Sequence, residues 1–199
     1  MPYIALALLA VLLVPGPTNT LLLQSGIAKG LNGSSLKLII AEWFAYIIQV
    51  TAWGLVIGFL GMDYSWVASA VKVFAMCFLL YISLRLWFSV AQDLSAPLVT
   101  VSAGELFVAT LTNPKGLFFV SFVAPPGTFL NLGSYLWFIA LFSLVLIPVG
   151  LVWVSLGTYF KHNLPSRLSA GLVNRMISLV IGLFAIGMLF TMASQSLSA

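Results

Sequence analysis

The run Pro15-Gly16-Pro17-Thr18-Asn19 sets two prolines around a glycine inside an otherwise apolar stretch over residues 3–23. Each proline lacks an N–H and its ring collides with the carbonyl one turn earlier, at roughly 3 kcal/mol in water. Two of them around a glycine are expected to break a helix rather than bend it. Both flanks, 4–14 and 20–23, are apolar, so the break is expected at membrane depth. Backbone polar groups are allowed there only when buried in protein or lining a wet cavity. A second interruption stands at Thr112-Asn113-Pro114-Lys115-Gly116. Two interrupted apolar segments, one in each half of a chain, are what a transporter built from repeats presents.

The solvent implied by the rest of the chain is lipid. Charged residues make up 6% of the 199 and hydrophobic ones 62%, where a soluble domain would carry about 25% charged residues. The net charge of +4 comes from basic residues scattered among apolar runs, which excludes a nucleic-acid-binding face. The single cysteine, Cys77, can form no internal disulfide and reads as a small packing residue. The N-terminus lacks a signal peptide's positive region and cleavage site, so the first segment is expected to be retained.

A helix needs about 20 apolar residues to cross the bilayer core. That ruler predicts six segments, at about 3–25, 36–60, 66–90, 105–124, 134–159 and 173–194. The expected fold is an all-α integral membrane protein, one polytopic domain over 1–199. Its halves are three helices in 1–90 and three in 105–199. Lys29, Lys37, Arg85, Lys161, Arg167 and Arg175 gather around the first, third and fifth connections. The positive-inside bias then puts those connections in the cytoplasm and both termini outside the plasma (inner) membrane. Three segments per half invert the second half relative to the first, so a 3+3 inverted repeat with a broken first helix in each half is expected.

Each break carries candidate chemistry. After Pro17 the helix must restart, and Thr18 and Asn19 are candidates for its cap. The restarted helix has its positive end at the break, where free N–H groups near Gly16–Asn19 suit a substrate carboxylate. At the second break Asn113, Pro114 and Lys115 place an amide, a missing N–H and a cation together. A lysine near mid-membrane costs roughly 2.5–3.5 kcal/mol on insertion scales and needs a partner or water. Glu42, inside the second segment, is the expected partner. It reads either as a carboxylate that couples proton movement to transport or as an interfacial acid, paired with Lys37 or facing cytoplasmic water. Gln49 and Thr51 on the same segment line a polar path or bond between helices. Gly26 and Gly30 have the spacing of close helix packing, and Pro148 is expected to kink the fifth segment.

With one cysteine and one histidine the chain has no metal cluster. It has no phosphate-cradling motif and no Ser/His/Asp set either. No catalytic residue, metal or cofactor is expected.

The order Pro15-Gly16-Pro17, Gly30 and Gly33 resembles the opening of the LysE/RhtB family of amino-acid exporters. Asn113-Pro114-Lys115 followed by Phe118-Phe119, Phe122 and Pro125 is similar to that family's fourth-segment motif. Leu80-Tyr81 with Arg85, and Asn174-Arg175 with Gly182 and Gly187, are similar as well. Ile40 and Phe44 depart from the small residues the family carries along its second helix. The resemblance implies a small six-helix secondary exporter of amino acids or close derivatives, driven by the proton gradient or membrane potential. The candidate substrate-binding residues, taken from the two breaks and the acid within the second segment, are Pro15, Gly16, Pro17, Thr18, Asn19, Glu42, Asn113, Pro114 and Lys115. A buried lysine repels cationic substrates, which favours neutral ones, and the small-residue faces are compatible with a homodimer. The alternatives are export of a metal cation or another small solute, and a membrane subunit or assembly factor without transport.

Overall fold

In a computed structural model of the chain, residues 2–63 and 101–163 are described continuously, with single helical positions between 66 and 88 and between 175 and 190. Helix dominates, and there is no strand among the described residues. The elements are α1 (Pro2–Leu13), α2 (Pro17–Lys29), α3 (Gly33–Asp63), α4 (Ala103–Leu111), α5 (Lys115–Phe118) and α6 (Leu132–Asn163). A π turn over Phe119–Val123 extends α5, closed by an Ala124 N–H to Phe119 carbonyl bond of 2.8 Å.

Among the described residues two helices, α3 and α6, have stretches long and apolar enough to cross a membrane, Gly33–Phe59 and Leu132–Lys161. Two bent pairs qualify when each is taken as one span. α1 and α2 meet at 63°, and α4 meets α5 with its π turn at 47°. The first, second, fourth and fifth expected segments correspond to these elements. The third and sixth, 66–90 and 173–194, lie largely outside the described residues. Where they are described they touch: Ser83 donates to the Ser178 carbonyl at 2.9 Å, and Ser178 donates back to the Ser83 carbonyl.

The first break forms as its prolines dictate. A proline disfavours helical geometry in the residue before it, and Gly16, held between two, is fully extended at φ −157°, ψ −179°. Pro17 then opens α2 at the position where a missing N–H does no harm. At the second break Asn113 and Pro114 interrupt the chain, and the Asn113 side chain accepts from the Lys115 N–H at 3.1 Å. The Ser102–Glu105 capping box starts α4.

α2 packs most extensively on α6, because Gly26 and Gly157 face each other without side chains. A Cβ on Gly26 would meet the Val154 carbonyl, and one on Gly157 the Leu23 carbonyl, so the two backbones are in contact. The small-residue spacing at Gly26 therefore does serve close packing, against the fifth expected segment. Gly30, at φ +74°, ends α2 in a conformation that favours glycine. Gly26→Leu must push two backbones apart, and a loss of about 3 kcal/mol or more is expected. Thermal melting of the purified protein in detergent reads it.

Pro148 lies inside α6 without ending it. Ile40 and Phe44, the bulky departures on α3, are 61% and 53% exposed, and Phe44 stacks on Phe107 of α4 with ring centroids 6.3 Å apart. Cys77 is exposed rather than packed away. The core has two parts. The larger gathers Tyr46, Phe119, Phe138 and Phe142 with Leu8 and Leu12. The smaller joins Leu22, Leu38, Ile39, Leu106 and Val154.

Candidate functional site

The two breaks meet. Thr18, Asn19, Glu42, Gln49, Asn113 and Lys115 are all buried, none more than 6% exposed, beside the wholly buried Tyr46. In lipid each such group needs a partner within the protein, and the bonding pattern explains why they converge.

A broken helix leaves carbonyls without partners at the end of its first half. At the first break the Asn19 side-chain amide turns back to the Leu12 and Val14 carbonyls, at 2.7 and 2.9 Å. Val14 also accepts from the Lys115 ammonium, which reaches across from the second break. At the second break the Gln49 amide does the equivalent work, bonding the Leu111 and Asn113 carbonyls at 2.9 and 2.6 Å. Gly116 leaves room for it: a Cβ there would collide with the Gln49 amide.

A second set of contacts ties the breaks to α3. The Asn113 amide donates to the Tyr46 hydroxyl at 3.0 Å and to the Thr18 hydroxyl at 3.4 Å. The Thr18 hydroxyl also faces the Glu42 carboxylate. Glu42, Tyr46 and Gln49 stand four and three residues apart, one face of a helix, so α3 presents a carboxylate, a phenol and an amide to both breaks.

Thr18 and Asn19 do not cap α2 as expected. Gly16 holds the cap position and no side chain caps the helix, because the Asn19 amide is spent on α1 and the Thr18 hydroxyl is turned to Asn113 and Glu42. The first turn's bonding begins with the Thr20 N–H on the Gly16 carbonyl, at 2.9 Å. The Thr18 and Asn19 N–H groups, in the first turn before it, have no intrahelical partner.

Glu42 and Lys115 also differ from expectation. They lie in one buried cluster and attract each other through space, but they form no direct ion pair. Lys115 bonds the Val14 carbonyl instead, and Glu42 Oε1 has no hydrogen-bond partner among the described residues. The interfacial alternative fails as well, since Glu42 is buried while Lys37 is exposed. Gln49 Oε1 is the other unpartnered acceptor here. Thr51 bonds the Tyr135 hydroxyl at 2.9 Å, away from the cluster.

Of the residues expected at the site, Gly16, Thr18, Asn19, Glu42, Asn113 and Lys115 are brought together, while Pro15, Pro17 and Pro114 act through backbone shape. Tyr46 escaped the sequence reading. Its signal was the helical spacing from Glu42 and Gln49, hidden because tyrosine is ordinary among apolar neighbours. Gly116 was seen only as part of a motif, and its role depends on Gln49, far away in sequence. No family model, curated protein or solved structure matches the chain.

Proposed function

We propose that the chain is a secondary exporter of amino acids or close derivatives in the plasma membrane, coupled to the proton gradient or membrane potential. The observation that carries the proposal is the convergence of two broken helices on one buried polar cluster. A bundle that served only as scaffold would have no use for unwound backbone at that depth. The cluster offers both halves of a zwitterion's complement. The N–H groups that open α2 suit a carboxylate, and the carbonyl end of α1 together with the unpartnered Glu42 oxygen offers acceptors enough for an ammonium. One carboxylate and one ammonium already balance within the site, which favours substrates with uncharged side chains.

The packing among the described residues also supports an inverted repeat, which a third helix in each half would extend to six spans. Exchanging the halves maps α1 onto α4, α2 onto α5 with its π turn, and α3 onto α6. The contacts of α1 and α2 with α6 then correspond to those of α4 and α5 with α3, and all four pairs are present. The contact of α2 with α4 corresponds to that of the π turn with α1, also present. Lys161 donates to the Ala28 carbonyl at 3.3 Å, which gathers Lys29 and Lys161 at one end of the bundle. The positive-inside rule makes that end cytoplasmic.

Two experiments test the proposal. Cells expressing the chain and loaded with dipeptides should hold less of the released amino acid than cells without it, and should tolerate more dipeptide. Unchanged pools across a panel of dipeptides would remove the exporter reading. For orientation, in a Cys77→Ser background, Pro126→Cys should react with an impermeant thiol reagent outside intact cells while Leu31→Cys stays protected. The reverse pattern would invert the topology.

A further inference from the structure

Lys115 occupies a place that a ligand would need. No member of the cluster is more than 6% exposed, so the site is closed, and the lysine is part of what closes it. Its end lies in the slot left by the missing side chain of Gly16: a Cβ there would stand 3.1 Å from Lys115 Cε and 3.3 Å from Nζ. The ammonium bonds the Val14 carbonyl, at the carboxyl end of α1. Orphan carbonyls and the negative end of the helix dipole make that end a cation site. The lysine also has a second place to go. Glu42 attracts it without pairing, and Glu42 Oε1, buried with its residue 1% exposed, has no partner among the described residues.

We infer that the Lys115 ammonium is a tethered stand-in for the substrate's amino group, holding the carbonyl end of α1 until a substrate ammonium takes that berth and the lysine turns to Glu42. The inference rests on the export reading above and narrows it. Substrates must carry a free, protonated amino group beside their carboxylate. 2-Hydroxy acids and N-acetyl amino acids keep the carboxylate but cannot replace a cation at Val14, so they are excluded. The side chain need carry no charge, since one ammonium replaces another. Lys115 is then a competitor of the substrate in binding and a participant in the conformational change, rather than the group that holds the carboxylate.

Binding to the purified protein in nanodiscs separates these roles. The probes are the neutral L-amino acids, their 2-hydroxy analogues and their N-acetyl derivatives. An amino acid that binds the native protein should bind Lys115→Met at least about tenfold tighter, because a competitor that fills the berth nine-tenths of the time has been removed. Efflux by that variant should nonetheless fail, and the hydroxy and N-acetyl compounds should bind neither protein. Loss of amino-acid binding in Lys115→Met would make the lysine a carboxylate ligand and overturn the inference, with the export reading intact. A second arm needs no substrate. Propylammonium chloride should raise the melting temperature of Lys115→Ala by several degrees and leave that of the native protein unchanged, by refilling the berth at Val14. Absence of that rescue overturns the berth. Rescue in a protein that binds no amino acid supports the berth and counts against the export reading.

Discussion

Efflux by the Pro15→Ala/Pro17→Ala double variant is expected to fall about tenfold or more, in protein that still folds. The prolines keep the N–H groups at the start of α2 from joining the turn before it. With alanines, the N–H groups of residues 17, 18 and 19 can reach the carbonyls of Leu13, Val14 and Pro15 and carry the helix through. The donors proposed for the substrate carboxylate are then consumed. Losing one hydrogen bond to a charged group costs about 1.5–3 kcal/mol, and each 1.4 kcal/mol is about tenfold in affinity. The fold gains the same backbone bonds that the site loses. It also has to give up the Asn19 and Lys115 contacts at the Leu12 and Val14 carbonyls, so the net change in melting temperature should be small. Efflux and melting measured on the same preparation decide the matter. Near-normal efflux would show that the break serves architecture alone.

Gln49→Leu should act oppositely, through stability first. The Gln49 amide bonds the Leu111 and Asn113 carbonyls at the second break. Leucine keeps the volume and removes the donor, which leaves the buried Leu111 carbonyl unsatisfied and the Asn113 carbonyl with only its 3.3 Å bond from the Gly116 N–H. An unsatisfied buried acceptor costs about 1–3 kcal/mol, and the second carbonyl loses its shorter bond, so a loss of about 2–3 kcal/mol is expected. Gly116→Ala should shift stability the same way, since its new methyl meets the same amide. The two substitutions together should cost less than their sum, because both remove one interaction. Full additivity in the melting data would mean that Gly116 matters for some other reason.

The mutual dependence of Gln49 and Gly116 marks the boundary between the levels of information. Local chemistry was enough to place the breaks. Pro-Gly-Pro cannot continue a helix in any surroundings, and Asn113-Pro114 ends α4 nearly as firmly. The apolar runs likewise needed no tertiary information to read as helices of bilayer length, because lipid leaves the backbone few other ways to bond itself. Glu42 and Lys115 stood out from the sequence because ionisable groups in such runs are expensive and rare.

Which group satisfies which was decided by tertiary structure alone. Asn19 looked like a cap for the helix it begins, and it serves instead the carbonyls of the helix before. That choice exists only because a 63° bend brings those carbonyls within reach. Lys115 looked like the partner of Glu42, and it bonds Val14, one hundred and one residues away. Ammonium, carboxylate and helix end offer comparable local attractions, and distances set by the packing of α1, α3 and α5 choose between them. Tyr46 is the simplest case: its type and position say only that it fits an apolar helix, and its hydroxyl acquires a role because Asn113 arrives from the other half of the chain. Sequence by itself determined where the backbone must open and which charges lipid would force inward. The assignment of each opened group to its partner came from the fold, because a hydrogen bond is specified by a distance and a direction that no single stretch of chain contains.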